Sequence, residues 1–246
     1  MKTLGIIPAR YASSRLPGKV IADLCGKPLI QWVYERSQKA SLLSELIVAT
    51  DDERVFSAVE RFGGNVVMTA SNHLNGTSRA AEASKKIEAD IVVNIQGDEP
   101  LISSVMIDET VKLLLDNPSD VAATLVRPVA LEDYNNIGVV KTVCDKNSYA
   151  LYFSRSLIPY QHTEFNAPVF EHIGIFAYTK DFLLTYASLP ETPLAKAESL
   201  EQLKVLEHGY KMRVAITECK EAGFCVDTQS DLEKMREYFI EHGIGE

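Results

Sequence analysis

A short basic loop near the start of the sequence holds the residues best suited to bind an anion. The loop, PARYASSRLPGK, follows the first apolar run and carries Arg10, Arg15 and Lys19, with the hydroxyl groups of Ser13 and Ser14 between the two arginines. Cationic side chains and clustered backbone N–H groups can surround several phosphate groups by charge and hydrogen-bond donation. The sequence contains neither a Walker A loop nor the glycine pattern of a Rossmann dinucleotide site. The loop therefore predicts either a polyphosphate site of another construction or a solvated basic surface.

Two acidic segments could hold a metal ion against such phosphates. The segment NIQGDEP at 94–100 closes the most apolar run and carries Asp98, whereas VDT at 226–228 carries Asp227. Mg²⁺ in phosphate sites is usually held by one or two carboxylates, and phosphate oxygens and water complete its shell. Asp98 and Asp227 are therefore candidate magnesium ligands. Each also has a structural interpretation, because Gly97 and Asp98 fit a turn and Asp227 directly precedes a helix N-cap.

The histidines and cysteines form no pattern that predicts another kind of centre. The sequence has no Ser/His/Asp order, no HExxH motif, no CxxC pair and no zinc spacing. These residues are His73, His162, His172, His208 and His242, with Cys25, Cys144, Cys219 and Cys225. A disulfide framework is not expected in a chain of this size without a secretory signal, so we expect free thiols in a reducing cytoplasm.

Composition and charge exclude several classes of protein. The 246 residues include 25 Lys and Arg against 34 Asp and Glu, a formal net charge of −9, and 46% are hydrophobic. This acidic total argues against general nucleic-acid binding, which requires a basic surface. Apolar stretches are too short to span a membrane, and the first residues are not typical of a signal peptide, so we expect a cytoplasmic protein. Within residues 1–40, however, seven residues are basic and two are acidic.

The hydrophobic pattern predicts the elements that must position these side chains. Apolar runs predict strands over 3–8, 45–50, 65–68, 90–95, 121–126, 139–144, 173–178 and 211–216. Helical spacing predicts helices over 28–39, 52–62, 77–87, 104–116, 197–208 and 230–242. Since strands alternate with helices, we expect a layered, Rossmann-like α/β fold with a mainly parallel, mixed sheet flanked by helices.

This architecture predicts where the polar segments meet. In open α/β sheets, ligands bind beyond the carboxyl ends of the strands, and the segments 8–19, 50–54 and 96–100 all fall at such ends. No linker or repeat divides the sequence, so we expect one domain over 1–246. The hydrophobic pattern becomes less regular from 150 to 180. The stretch 127–180 is a possible subdomain, for a sugar site or for contact with another subunit.

Taken together, these segments resemble the 3-deoxy-manno-octulosonate cytidylyltransferase family. After PARYASSRLPGK and NIQGDEP, the sequence continues in order with ALYFSRSLIP, HIGIFAY, SLEQLKVLE and VDT, so the likeness extends over almost the whole chain. The resemblance implies the nucleotide-diphospho-sugar transferase fold and Mg²⁺ as cofactor. It implies that CTP and the eight-carbon acid 3-deoxy-manno-octulosonate (Kdo) give CMP-Kdo and pyrophosphate, for lipopolysaccharide biosynthesis. It further implies a homodimer with small-molecule substrates and no nucleic-acid or membrane partner.

The resemblance also implies a role for each matching residue. It makes Arg10, Lys19, Asp98 and Asp227 catalytic, with the two aspartates as magnesium ligands. Its nucleotide site corresponds to Ala9, Arg10, Ser13, Arg15, Lys19, Asn75, Gly76, Thr77 and Arg79. Its sugar site corresponds to Gln96, Arg155, His172, Glu201 and Gln202, with Arg155 as the partner of the sugar carboxylate.

Some positions depart from the usual pattern of that family, mostly on the sugar side. Phe176 stands where Tyr is frequent, and Lys204 stands where Arg is common and would grip two oxygens at once. An amino-substituted Kdo or sialic acid therefore remains an alternative acceptor. A non-catalytic nucleotide-binding module remains the alternative from another class, whereas an NAD-dependent dehydrogenase is disfavoured by the missing glycine pattern.

Overall fold

The computed structural model describes residues 1–13, 15–163, 167–219 and 225–245. The strands are β1 (Thr3–Pro8), β2 (Asp23–Leu24), β3 (Lys27–Pro28), β4 (Glu45–Thr50), β5 (Val66–Met68), β6 (Ile91–Asn94), β7 (Ala122–Pro128), β8 (Lys141–Cys144), β9 (Ala150–Ser154), β10 (Phe170–Thr179) and β11 (Arg213–Ile216). The α-helices are α1 (Leu29–Ser37), α2 (Glu53–Arg61), α3 (Gly76–Ser84), α4 (Ser104–Asp116), α5 (Lys180–Ser188), α6 (Pro193–Glu198), α7 (Leu203–Glu207) and α8 (Gln229–Glu241). None of these helices is long and apolar enough to cross a membrane.

The main sheet has the order β11-β7-β10-β6-β1-β4-β5. Every strand of this path runs in the same direction except β10, which lies antiparallel between β6 and β7. Strand β8 pairs with the start of β10 and with β9, which extends the sheet away from this path. The predicted layered α/β fold with a mainly parallel sheet is confirmed.

Helices cover both faces of this sheet, which explains why its central strands are apolar on both sides. Every residue of β6 is buried, as expected of a strand packed between two layers of helices. One apolar layer contains α1, α2, α4 and α8, and the opposite layer contains α3, α5 and the region of α6 and α7. Burial of these two layers is the main source of the fold's stability.

The polar segments meet at one edge of the sheet, as predicted. Strand β1 pairs in parallel with β4 on one side and with β6 on the other, with Pro8 opposite Ala49 and Ile6 opposite Asn94. The chain segments that leave these three strands therefore start side by side. This edge brings the basic loop next to the segment that carries Asp98.

The structure corrects the predicted helix over 197–208. It is divided into α6 and α7 by Ser199, which has a φ of 54° in the left-handed region. The apolar spacing of this segment is typical of one continuous helix, and no glycine or proline marks the break. Strands β2, β3 and β9 and helix α5 were not predicted either. Of these, only β9 lies in the stretch of less regular pattern.

Candidate functional site

A cleft of about 530 Å³ opens at the carboxyl ends of β1 and β6. The basic loop and the segment after β6 form one side of it, and the start of α3 and the region of α6 form the other. Many residues predicted for the site line this cleft, namely Arg10, Arg15, Lys19, Asn75, Gly76, Arg79, Gln96, Asp98, Glu201 and Asp227. The structure thus brings together residues that are far apart in the sequence.

The basic loop is shaped by hydrogen bonds to one carbonyl group. The backbone oxygen of Tyr11 accepts from the N–H of Ser13 at 3.0 Å and from that of Gly18 at 2.8 Å. Gly18 has a φ of 72°, and a Cβ atom there would lie 2.9 Å from the ring of Tyr11, so this position favours glycine strongly. A short 3₁₀ turn follows at Lys19–Ile21 and buries the lysine side chain in the cleft. Ser14 lies outside the described residues.

The ammonium group of Lys19 joins the two candidate metal ligands. Its Nζ atom lies 2.5 Å from Oδ2 of Asp98 and 2.8 Å from Oδ1 of Asp227. Arg15 binds the other oxygen of Asp227 at 2.8 Å. Burial by itself would lower the pKa of Lys19, but the two carboxylates outweigh it and raise that pKa. Lys19 therefore stays charged, and the two cations balance the two anions at the centre of the cleft.

The backbone holds the segments of these two aspartates against each other. The N–H of Val226 donates to the carbonyl oxygen of Asp98 at 2.9 Å. Thr228 is the N-cap of α8 in a capping box with Asp231, so the cap does not need the carboxylate of Asp227. The side chain of Asp227 is therefore available to the cleft.

The chemistry of these donors fits Mg²⁺. Asp98 and Asp227 touch the same ammonium group, so their oxygens can also reach one metal ion. Among the described residues, no group of three or more His, Cys, Asp or Glu side chains converges as a metal site. Two carboxylates are a common protein contribution to a Mg²⁺ ion that takes its other ligands from phosphates and water. The pair thus suits a magnesium ion that arrives with a phosphate compound.

The start of α3 forms the wall that faces the basic loop. Asn75 caps this helix and accepts from the N–H of Ser78 at 2.8 Å. Arg79 is 4% exposed and lies 3.2 Å from Asp51, and its guanidinium donates to the hydroxyl of Thr69 at 2.6 Å. These contacts fix the arginine, so it presents a rigid surface to a ligand.

A second group of polar residues lies deeper, where β6, α3 and the segment after Ser199 meet. The hydroxyl of Thr77 donates to Oε1 of Glu201 at 2.8 Å and accepts from Nδ2 of Asn94 at 2.9 Å. Burial raises the pKa of the Glu201 carboxyl, and the hydrogen bond from Thr77 opposes that rise. This part of the cleft therefore depends on buried hydrogen bonds rather than on ion pairs.

Several residues implied by the resemblance do not line the cleft. Arg155 donates through Nε to the carbonyl of Glu198 at 2.9 Å and through a terminal nitrogen to that of Ile137 at 3.0 Å. His172 lies 2.9 Å from the hydroxyl of Thr124, and burial lowers its pKa to about 3, so it is neutral at pH 7. The remaining ones are Ala9, Ser13, Thr77 and Gln202, of which all but Ser13 are buried. These residues surround the cleft instead of facing it.

Other cleft residues were missed by the sequence reasoning. They include His73 and Leu74 before α3, and Glu191, Lys196, Ser199 and Leu200 around α6. Glu191 is held by Lys204 at 3.3 Å. The α6 residues reach the cleft because the chain turns at Ser199, and that turn has no signal in the sequence. His73 was a single histidine without a partner pattern, although its ring contacts Glu82 at 2.5 Å in the structure.

Comparison with known proteins finds similarity over nearly the full length. Residues 4–216 match the family model described as "Cytidylyltransferase". A 3-deoxy-manno-octulosonate cytidylyltransferase from Fusobacterium nucleatum is 50% identical over 246 residues, which cover 99% of each chain. One from Geobacter metallireducens is 49% identical and covers 96% of this chain and 97% of its own. A solved structure of CMP:2-keto-3-deoxy-manno-octonic acid synthetase complexed with CTP has a TM-score of 0.93 at 42% identity, over 98% of this chain and all of that one.

Proposed function

Because this chain belongs to the cytidylyltransferase family, and within it to the 3-deoxy-manno-octulosonate cytidylyltransferases, we infer that it transfers CMP from CTP to Kdo. The anomeric hydroxyl of the sugar attacks the α-phosphorus of CTP. A new bond forms between the sugar oxygen and the α-phosphorus, and the bond from the α-phosphorus to the oxygen that bridges it to the β-phosphorus breaks. Pyrophosphate leaves with that bridging oxygen, and the proton of the hydroxyl passes to water. The observation that carries this proposal is the convergence of Lys19, Asp98 and Asp227 in one cleft.

The basic loop would bind the triphosphate. Arg10, Arg15 and Lys19 all face the cleft, and enzymes of phosphoryl-type transfer rely mainly on positioning and on stabilisation of charge. For Lys19 and Arg15 to hold phosphate oxygens, they must give up part of their contact with the aspartates. We propose that nucleotide binding involves this exchange of ion pairs.

Magnesium is the proposed cofactor, held by Asp98 and Asp227 together with the phosphates. The ion would neutralise developing charge on the phosphates and favour loss of the acceptor's proton. The protein's own contribution is to keep the two carboxylates adjacent, through the hydrogen bond from Val226 to the Asp98 carbonyl. The nucleotide base would lie by Asn75, Gly76 and Arg79.

The acceptor would occupy the part of the cleft between Gln96, Glu201 and α6. We propose that Gln96 and Glu201 contact the sugar directly. Arg155, His172 and Gln202 would support that wall from behind, since they do not line the cleft. An amino-substituted Kdo or sialic acid is the alternative acceptor.

We also propose one domain over 1–246 and a homodimer that uses the stretch 127–180. Several large apolar side chains of this stretch are exposed, and a contact with a second copy would cover them. They include Leu131 at 78%, Ile137 at 73%, Leu151 at 61% and Tyr160 at 82% exposure. A dimer has twice the mass of the 27.3 kDa chain in solution.

A pyrophosphate-release assay tests the proposed reaction. We expect release with CTP, Mg²⁺ and Kdo, little release with the other nucleotides, and none when the acceptor is left out. Amino-substituted Kdo and sialic acid belong in the same panel, since turnover with one of them instead of Kdo would establish the alternative acceptor. If no eight- or nine-carbon acid supports release, the proposed function is wrong.

A further inference from the structure

The hydroxyl of Thr77 is placed to hold Glu201 rather than to touch a ligand. Thr77 has no exposed surface, and its hydroxyl makes a hydrogen bond on each side, to Oε1 of Glu201 and from Nδ2 of Asn94. A hydroxyl has one proton to donate, so this one has no second hydrogen bond to give. Thr77 follows Gly76, which lines the cleft where we propose that the nucleotide base binds. The hydroxyl of Thr77 nevertheless points to Glu201, on the side proposed for the acceptor.

The other end of this chain of hydrogen bonds is fixed to the sheet. Asn94 is the last residue of β6 and is fully buried, so its side chain cannot move without disturbing the central strand. On the far side, the hydroxyl of Tyr186 donates to the backbone oxygen of Glu201 at 3.2 Å. Glu201 is thus held through its side chain by α3 and through its backbone by α5.

Glu201 has hydrogen-bonding capacity that the protein does not use. Its Oε2 atom is buried and has no hydrogen-bond partner among the described residues. A carboxyl oxygen left without a partner costs free energy. Glu201 lines the cleft, so a turn of its side chain would bring this buried oxygen to a hydroxyl donor there, which would then be bound favourably. Sugars present such hydroxyl groups.

We propose that Thr77 and Asn94 are positioning residues for the acceptor sugar and that they act through Glu201. The chain from Asn94 through Thr77 fixes the orientation of the Glu201 carboxyl, which then selects the hydroxyl groups of the acceptor. This inference rests on the proposed function, and it places Thr77 on the acceptor side although its neighbours in sequence face the nucleotide.

Substitutions of Thr77 test this role. Thr77→Val keeps the shape and removes the hydroxyl, whereas Thr77→Ser keeps the hydroxyl and is the matched control. We expect Thr77→Val to raise the KM for Kdo about 10- to 100-fold, the range for a hydrogen bond to a charged group, while the Kd for CTP measured by calorimetry changes less than about twofold. Thr77→Ser should restore the KM for Kdo.

A double-mutant cycle tests whether Thr77 acts through Glu201. If it does, adding Thr77→Val to Glu201→Ala, which removes the acceptor of the Thr77 hydroxyl, should cause much less further loss in kcat/KM than Thr77→Val causes alone. Additive losses, an unchanged KM for Kdo in Thr77→Val, or a CTP affinity that falls in parallel would each overturn the proposal. If Thr77→Val does not fold, Thr77→Cys, which keeps the volume but donates weakly, takes its place under the same criteria. Lack of turnover by the unsubstituted protein with any acid would instead refute the proposed function.

Discussion

The two sides of the cleft are built in different ways. The phosphate side, formed by Arg15, Lys19, Asp98 and Asp227, consists of ion pairs on loops. Three of its four side chains are between 22% and 63% exposed. The acceptor side, formed by Asn94, Thr77 and Glu201, consists of hydrogen bonds among side chains anchored in a strand and a helix.

The two sides would therefore respond to a ligand in different ways. The ion pair between Arg15 and Asp227 is partly exposed and contributes little to stability, so Arg15 can exchange it for a phosphate at small cost. The pairs of Lys19 are more buried, so this lysine must gain new charged partners as it gives them up. Buried hydrogen bonds are expensive to break, so the acceptor side keeps its shape. The phosphate side is therefore suited to binding charge, and the acceptor side to discriminating between sugars.

The largest expected effect comes from removing a negative charge on the phosphate side. Asp98→Asn and Asp227→Asn should each lower kcat/KM by about 10²- to 10³-fold, the size seen when one preorganised electrostatic contact to a transition state is lost. Steady-state pyrophosphate release measures this, and CTP binding without metal should survive. Glu233→Gln is the matched control, because Glu233 is an exposed carboxylate of the same helix and does not line the cleft. Full activity in both cleft variants would show that these carboxylates do not hold the metal.

Removal of the positive charge between these carboxylates should lower activity and strengthen metal binding. Lys19→Met should lower kcat/KM about 10²-fold because a contact to the phosphates is lost. The same variant should bind Mn²⁺, used as a probe for Mg²⁺, more tightly than the unsubstituted protein in the absence of nucleotide, since Asp98 and Asp227 are freed from the lysine.

Calorimetric titration with Mn²⁺ measures this affinity. Lys27→Met is the control, because Lys27 pairs with Glu35 away from the cleft. Equal Mn²⁺ affinity in all three proteins would contradict the exchange of ion pairs on the phosphate side.

The same contrast explains what the sequence could predict. The phosphate side follows from local features, because charged residues directly after apolar runs lie at the carboxyl ends of strands, and β1 and β6 proved to be neighbours. The acceptor side depends on tertiary packing. The turn at Ser199 has no local signal, although Ser199, Leu200 and Glu201 line the cleft. The antiparallel direction of β10 has no local signal either. Arg155 matches a motif of the family. Its side chain is nevertheless oriented by hydrogen bonds to the carbonyl oxygens of Glu198 and Ile137, which the sequence does not predict.

The smallest expected effect concerns pH and the buried surroundings of the acceptor side. The ring of His172 lies between Phe153 and Phe176, at 5.0 and 5.1 Å, and burial lowers its pKa to about 3 from the ordinary 6.5. Between these pH values the unfolded chain binds a proton that the folded chain does not. The free energy of unfolding should therefore fall as the pH drops below about 6.5, by up to about 1.4 kcal/mol per pH unit for this group.

Urea unfolding at pH 6.5 and 5.5 measures this change in the unsubstituted protein and in His172→Gln. We expect the unsubstituted protein to lose about 1 kcal/mol more than the variant over that interval, because the unfolded-state histidine is already half protonated at pH 6.5. Glu99, whose pKa burial raises to about 7, contributes with the opposite sign, but it is present in both proteins and cancels in the difference. His242→Gln, at the exposed end of α8, controls for the loss of a histidine as such. If both proteins lost the same free energy of unfolding, His172 would take up a proton in the folded state. The surroundings of the acceptor side would then be no more rigid than the phosphate side.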